Sequence, residues 1–231
     1  MPVRALSNMP SKTSPKPIKV VLVEDHLMFR EWLGEMLGRE PGFTVCGEAD
    51  NIQQGLRIIQ QTAPDIAIVD ITLRGSSGLE LVKDIKAHGL SVPVLVLSMH
   101  DEALYAERVL RAGAKGYISK SEASGTLTEA IRQVLAGKIY LGEKMTTLML
   151  EKISNPRAIG TTSRMDLLAD RELEVFQLIG RGYNGREIAE QLHLGETTID
   201  TYRARIKEKL QLRNAAELYS RAAQWVQENG G

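Results

Sequence analysis

The chain has 231 residues, 43% of them hydrophobic and 25% charged, with 29 basic and 29 acidic residues in balance. Such a composition suits a soluble globular protein of one large or two small domains and excludes disordered and fibrous chains. The neutral total gives no vote for a polyanion partner, so any such site must come from local clustering.

Residues Met1–Pro17 include four prolines and no apolar segment of signal-peptide length, so they read as a flexible tail. No apolar run approaches the ~18–20 residues needed to span a bilayer. The chain is therefore expected in the cytoplasm without membrane contact. Cys46 is the single cysteine, accompanied by four His, which excludes an internal disulfide and a cysteine-rich zinc site.

From Ile18 to about Gly137, short β-branched runs alternate with segments of helical periodicity. This predicts βαβ units and a doubly wound parallel sheet covered on both faces. The predicted strands are Ile18–Val23, Phe43–Cys46 with an extension to Ala49, Ile66–Val69, Val92–Leu97 and Gly116–Ile118. Helical spacing joins Leu27, Trp32, Leu33, Met36 and Leu37, then Leu79, Leu81, Val82 and Ile85, then Leu127, Ala130, Ile131, Val134 and Leu135. Thr126 and Glu129 stand at capping-box spacing for the last of these helices.

Right-handed crossovers place every carboxyl end on one edge of such a sheet, where ligand chemistry belongs. Glu24 and Asp25 follow the first predicted strand, Asp70 ends the third, Ser98 ends the fourth, and Lys120 follows the fifth after Tyr117. Singly, each is an ordinary helix cap, turn residue, core aromatic or solvated lysine. Together they form a rim of clustered carboxylates whose repulsion a hard, oxygen-preferring cation relieves, and Mg²⁺ fits a set without thiolate ligands. A cation, a lysine and a hydroxyl around one aspartate also supply the charge stabilisation that phosphoryl transfer needs.

Residues 137–163 read as a linker carrying one amphipathic helix, Glu143–Ser154, in which Met145, Leu148 and Met149 share a face. Beyond it the chain turns wholly helical. Leu173, Phe176 and Ile179 line one helix, Ile188, Ala189 and Leu192 the next, Ile199, Tyr202, Ile206 and Leu210 a third, and Leu218, Ala222 and Trp225 a fourth. Asn184 and Glu187 have capping-box spacing, and the four-residue turn His193–Glu196 separates the second helix from the third as in a helix-turn-helix.

Arg164–Glu228 holds ten Lys and Arg against eleven Asp and Glu, so its net charge does not announce DNA. Position does. Arg203, Arg205, Lys207, Lys209 and Arg213 crowd the third helix and its exit; alone they would read as a solvated face with Glu208 as partner. In a helix-turn-helix this helix enters the major groove near its N-terminus while basic groups hold phosphates. Thr197, Thr198, Asp200, Thr201, Ala204 and Arg205 are the groove-facing candidates.

Two resemblances sharpen these expectations. VEDH at 23–26, VDITLRGSSGLEL at 69–81, VLVLSMHDE at 94–102 and GAKGYISK at 113–120 resemble the receiver domain of bacterial two-component response regulators, a flavodoxin-like (βα)5 fold. The resemblance implies that Asp70 accepts a phosphoryl group from a phosphohistidine on a sensor histidine kinase. It also implies that Asp25, Asp70 and the Thr72 backbone carbonyl bind Mg²⁺, with Glu24 assisting through water. Lys120 would pair with phosphoryl oxygens, while Ser98 and Tyr117 would act as the switch that repacks the surface of the fourth helix, fifth strand and fifth helix. Phosphorylation then biases a two-state equilibrium.

Leu168–Trp225 resembles the LuxR-type DNA-binding domain through RELEVFQLIGRGYNGREIAEQLHLGETTIDTYRARIKEKLQL at 171–212, and the pairing matches the FixJ/NarL subfamily. This implies a transcription factor for double-stranded DNA with paired half-sites, homodimeric on activation, whose last helix, bearing Leu218 and Trp225, often makes the dimer contact. The expected organisation is a tail 1–17, receiver 18–136, linker 137–163 and small all-α helix-turn-helix domain 164–229. No enzymatic activity is expected beyond the receiver's own phosphoryl acceptance and hydrolysis.

Departures from the family patterns stand at Arg74, where many receivers carry Pro and the loop is expected to be less rigid, and at Met99, where many carry a small residue. In the second domain Asp200 replaces a common basic residue and Tyr202 a common His. Ala169 replaces a capping Thr, leaving Asp170 as the expected cap. An aspartyl-phosphate phosphatase of the haloacid-dehalogenase kind would want a second Asp at the position of Thr72. A nucleotide-dependent oxidoreductase would want a glycine-rich turn in place of Val23–His26. A phosphate-independent interaction module would not need the intact set Glu24, Asp25, Asp70, Ser98 and Lys120.

Overall fold

In the computed structural model, which describes residues 16–99, 102–143, 145–147, 150 and 164–229, the first domain is built on a five-stranded parallel sheet. Its elements are β1 (Ile18–Val23), α1 (Leu27–Arg39), β2 (Phe43–Ala49), α2 (Ile52–Thr62) and β3 (Ile66–Asp70). A short antiparallel hairpin follows, β4 (Thr72–Leu73) and β5 (Ser76–Ser77), then α3 (Gly78–Ala87), β6 (Val94–Ser98), α4 (Glu102–Ala112), β7 (Gly116–Ser119) and α5 (Ala123–Leu135).

The strand order β2-β1-β3-β6-β7 reverses direction at β1. Loops leaving β1 and β3 therefore diverge, one toward each face, and open the crevice in which sheets of this kind bind ligands. Because side chains alternate along each strand, two cores result. Val20, Leu22, Ile66, Ile68, Leu95 and Leu97 pack against Leu33 and Leu37 of α1 and Leu127 and Ile131 of α5. Val21, Val23, Ala67, Val69 and Val96 pack on the other face with α2, α3 and α4, and this cluster continues into the helical domain.

Several local expectations are corrected. Leu27 is 56% exposed and Trp32 is also exposed, so the apolar stripe of α1 narrows to Leu33 and Leu37, flanked by half-buried Phe29 and Met36, while the Trp32 ring lies tilted against Phe29 with centroids 5.2 Å apart. The fourth sheet strand begins at Val94 rather than Val92, because Pro93 has no N–H to give the ladder, though its carbonyl accepts from Ala67 N at 3.0 Å. Helix α5 starts at Ala123, three residues before Thr126. Thr126 Oγ1 bonds back to the Glu122 carbonyl at 2.9 Å and Glu129 accepts from Gln133, so the pair lies inside the helix and caps nothing.

The second domain comprises a 3₁₀ turn (Arg164–Leu167), α6 (Asp170–Gly180), α7 (Gly185–Leu192), α8 (Glu196–Leu210) and α9 (Ala215–Asn229). Leu173, Phe176, Ile188, Ile199, Ile206, Leu218 and Trp225 are buried, with Trp225 edge-on to Phe176 at 5.6 Å. Asn184 caps α7 by accepting from Arg186 N and Glu187 N, and Glu187 returns the bond to Asn184 N at 2.8 Å. The turn between α7 and α8 is His193–Gly195, one residue shorter than expected, with His193 left-handed at φ 53°.

Ala169, not Asp170, holds the N-cap position of α6; Glu172 accepts from its N–H at 2.7 Å, and Asp170 is the first helical residue. Met145 of the linker is buried, while Leu148 and Met149 lie outside the described residues, as does most of Met1–Pro17.

Candidate functional site

At the crevice, β3 delivers Asp70 and β1 delivers Glu24 and Asp25, all buried. Lys120, arriving after β7, places Nζ 2.8 Å from Asp70 Oδ2 and 2.7 Å from Glu24 Oε2. Its ammonium also lies 4.6 Å from the centre of the Phe29 ring. Thr72 N donates to Asp70 Oδ1 at 3.2 Å, and Ser98 is fully buried, its carbonyl accepting from Lys120 N at 2.8 Å. Tyr117 is also fully buried in β7.

Two groups join this cluster that the strand-end pattern did not point to. His26 Nδ1 stands 3.0 Å from Glu24 Oε1 and 3.1 Å from Asp25 Oδ1, and Arg74 Nε stands 3.9 Å from Asp25 Oδ2. The residue next to Asp25 in a loop and the tip of a hairpin carry no periodic signal. Only a hairpin folding back over the rim brings Arg74 there.

Burial, with Glu24 adding its charge, pushes the Asp70 carboxyl up to about 8 against the opposing pull of Lys120. For Lys120, burial alone would lower the ammonium's pKa, but the Asp70 and Glu24 carboxylates outweigh it and raise it. The donors fit a hard cation. Glu24, Asp25, His26 and Asp70 each offer a ligand atom within 4.8 Å of the others, and Asp25 Oδ1 is buried without a hydrogen bond among the described residues.

Helix α6 closes this region from the second domain. Its Arg171, Glu172, Glu174 and Gln177 are buried, although amphipathic spacing would leave them in solvent. Thr72 Oγ1 donates to Glu174 Oε1 at 2.5 Å, Arg171 Nη2 donates to the Leu73 carbonyl at 2.5 Å, and Arg171 and Glu174 form an ion pair. Tyr105 Oη donates to Gln177 Oε1 at 3.1 Å; burial and the Glu174 charge raise the pKa of this phenol. Arg108 donates to the carbonyls of Leu168 and Met165 at 2.7 and 2.6 Å and meets Asp170 at 3.3 Å, while Lys83 holds the other Asp170 oxygen at 3.0 Å.

On α8, Thr197, Asp200, Thr201, Ala204 and Arg205 are exposed and Thr198 is half-buried, so the outward face of this helix is open while α6 is held. The basic residues divide. Arg203 is tucked against Gly185, pairs with Asp200 at 3.3 Å and lies 5.8 Å from the Tyr219 ring centre. Lys209 turns inward to Glu172 at 2.6 Å, and Arg213 pairs with Glu217, whereas Lys207 is half-buried. Leu218 and Trp225 belong to the domain's own core. Their burial bears out the helical spacing that joined them, and Tyr219 is exposed on the outward side of α9.

Comparison with known proteins agrees with this division. Residues 20–132 match the response regulator receiver domain, and residues 166–222 match the bacterial regulatory proteins of the luxR family. The transcriptional activator protein ExaE of Pseudomonas putida is 35% identical over 86% of this chain and 92% of its own. The oxygen regulatory protein NreC of Staphylococcus carnosus is 33% identical over 87% of this chain and 94% of its own.

Among solved structures, RcsB of Salmonella typhimurium is similar over 90% of this chain and 98% of its own, with TM-score 0.54 and 25% identity. A LuxR-family two-component response regulator from Aurantimonas covers 60% of this chain and 99% of its own, with TM-score 0.57 and 30% identity. No described helix is long and apolar enough to cross a membrane. The chain belongs to the response regulators that join a receiver domain to a LuxR-type helix-turn-helix, and it is a phosphorylation-dependent, DNA-binding regulator of transcription.

Proposed function

We propose that residues 18–136 accept a phosphoryl group at Asp70 from a phosphohistidine of a sensor histidine kinase, and that residues 164–229, joined through 137–163, read duplex DNA. In the transfer, an Asp70 carboxylate oxygen attacks phosphorus, the P–N bond breaks, and the released imidazole takes up a proton. The observation that carries this reading is the Lys120 ammonium 2.8 Å from Asp70 within a buried carboxylate cluster. Lys120 is placed to neutralise transferring oxygens, and Thr72 N holds the other Asp70 oxygen.

Asp25, Asp70, the Thr72 backbone carbonyl and, through water, Glu24 would hold Mg²⁺. The ion supplies charge neutralisation between carboxylates and phosphoryl oxygens. Buried Ser98 and Tyr117 are the switch candidates.

On DNA, Thr197, Thr198, Asp200, Thr201, Ala204 and Arg205 would face the groove, with Arg205 joining Arg203, Lys207 and Lys209 in phosphate contacts, Lys209 once freed from Glu172. The outward face of α8 is exposed even with α6 docked, which favours control through release and pairing of two DNA-binding domains over masking of the reading helix. The active form in this reading is a homodimer on paired half-sites, working in the cytoplasm.

Intact mass after incubation with acetyl phosphate and Mg²⁺ tests the first step. The expected result is one added phosphoryl group, absent from Asp70→Asn; labelling that survives this substitution would remove Asp70 from the role. Genomic footprinting of the labelled protein then locates its operators.

A further inference from the structure

We propose that Glu174, in the DNA-binding domain, forms part of the wall of the phosphoacceptor pocket and is the group against which a phosphoryl group on Asp70 acts to expel that domain. The inference deepens the role proposed for Asp70 and rests on it.

A cavity of about 240 Å³ lies between the domains, with Asp70, Thr72 and Lys120 on one side and Glu174, Arg181 and Gln191 on the other. The space into which an Asp70 phosphoryl group would grow is therefore roofed by the second domain. Glu174 is only 2% exposed, and Thr72 links it to the acceptor, donating its hydroxyl to Glu174 and its N–H to Asp70.

Phosphorylation replaces one negative charge on Asp70 with up to about two. Like charges that protein partly shields from water repel more than they do in bulk solvent. Arg171 offsets only part of the Glu174 charge, since it also spends a donor on the Leu73 carbonyl, and Arg181 in the same wall is exposed, so solvent screens the attraction it offers. The docked arrangement thus loses free energy on phosphorylation, and the separated one does not.

The docking is of a kind that such a change can tip. Its described polar contacts are the Thr72 hydroxyl on Glu174, Arg171 on the Leu73 carbonyl, and those of Arg108, Lys83 and Tyr105. Arg171 and Glu174 pair with each other on α6, so docking buries both charges and the desolvation cost offsets part of what their contacts to Leu73 and Thr72 return. A shift of about 1–3 kcal/mol then changes the ratio of docked to separated forms roughly 5- to 150-fold. By linkage, whatever weakens docking must tighten occupancy of the Asp70 site, even from a distance.

The test uses the full chain with Mg²⁺ and beryllofluoride as the phosphoryl mimic. Fluorine NMR reports occupancy, and spin labels at exposed His88 and Gln227, in a Cys46→Ser background, report the interdomain distance. In the otherwise unchanged protein, occupancy should lengthen that distance. Glu174→Gln should bind beryllofluoride about tenfold more tightly, a change of about 1.4 kcal/mol. Arg108→Ala, which loosens docking without touching the cavity, should also bind more tightly, and it keeps the idea testable if Glu174→Gln fails to fold.

Occupancy with no change in distance, or equal affinity in the parent protein and both variants, would overturn the inference while leaving Asp70 as acceptor. Failure of beryllofluoride to bind any of them would instead overturn the acceptor role, and this inference with it.

Discussion

Gly78 lies so close beneath the phosphoacceptor strand that a Cβ on it would meet the Asp70 carbonyl oxygen at 1.8 Å. Its own N–H donates to the Ile71 carbonyl at 2.6 Å, which closes the β4–β5 hairpin against the end of β3. The contact is with backbone, so no side-chain rotation relieves it. Gly78→Ala must move Asp70 or the start of α3, at an expected cost of about 1–3 kcal/mol. A lowered denaturant midpoint together with slowed acetyl phosphate labelling would show this; a variant unchanged in both would mean the loop yields freely.

The raised Asp70 pKa sets a pH dependence. The unfolded carboxyl titrates near 3.8 and the folded one near 8 in the absence of metal, so between these values the folded state holds a proton that the unfolded state has released. Stability contributed by this group is thus lost as pH rises from about 4 to about 8. Asp70→Asn should therefore melt above the parent protein in chelator, by a margin that widens from about pH 5 to about pH 8. Mg²⁺ favours the ionised carboxylate, so its stabilisation of the parent should grow over the same range. Thermal melts at matched ionic strength give both comparisons, and parallel curves would contradict them.

Met99 is 76% exposed at the mouth of the interdomain cavity, immediately after buried Ser98. A flexible thioether there screens the acceptor from small reactants. Met99→Ala is expected to speed labelling by acetyl phosphate, loss of the label, or both. Time courses followed by intact mass decide this, and unchanged rates in both directions would discard the idea.

The parts of this molecule that were legible in the sequence are those where one residue pattern has one physical use. Val20–Val23 and Ile66–Val69 are apolar, largely β-branched runs buried on both faces, and parallel pairing brings their carboxyl ends to one edge, which sets Glu24, Asp25 and Asp70 together. The spacing of Leu173, Phe176 and Ile179 likewise marked the inner face of α6. Its other face was illegible. Arg171, Glu174 and Gln177 look like solvated helix residues, and they are buried where the receiver lies against them, a fact that no local period encodes; Glu172 is buried within its own domain, between Ala169 and Lys209. Thr72–Ser77 was similarly opaque, since two-residue strands carry no alternation to detect. Leu27 and Trp32 matched helical spacing yet are exposed, because periodicity states which residues share a face and not how wide the covering layer is.

Asp200 and Arg205 should separate base reading from phosphate holding on α8. Asp200 is exposed and spends part of its charge on Arg203 at 3.3 Å, while Arg205 is exposed beside Thr197 and Thr201 in an open groove. A carboxylate accepts from cytosine N4, so Asp200→Ala should change the preferred base at one operator position. It also frees Arg203 toward phosphate, which adds affinity for every sequence and raises the salt dependence. Arg205→Ala should act in the opposite sense: weaker binding to all sequences, and a slope of log affinity on log salt reduced by about one. Selection from a randomised duplex pool, followed by titrations across a salt series, reads both quantities for each variant. Uniform loss without a change of preference in Asp200→Ala would remove its reading role. An altered preference with an unchanged slope in Arg205→Ala would move that side chain from the backbone to a base.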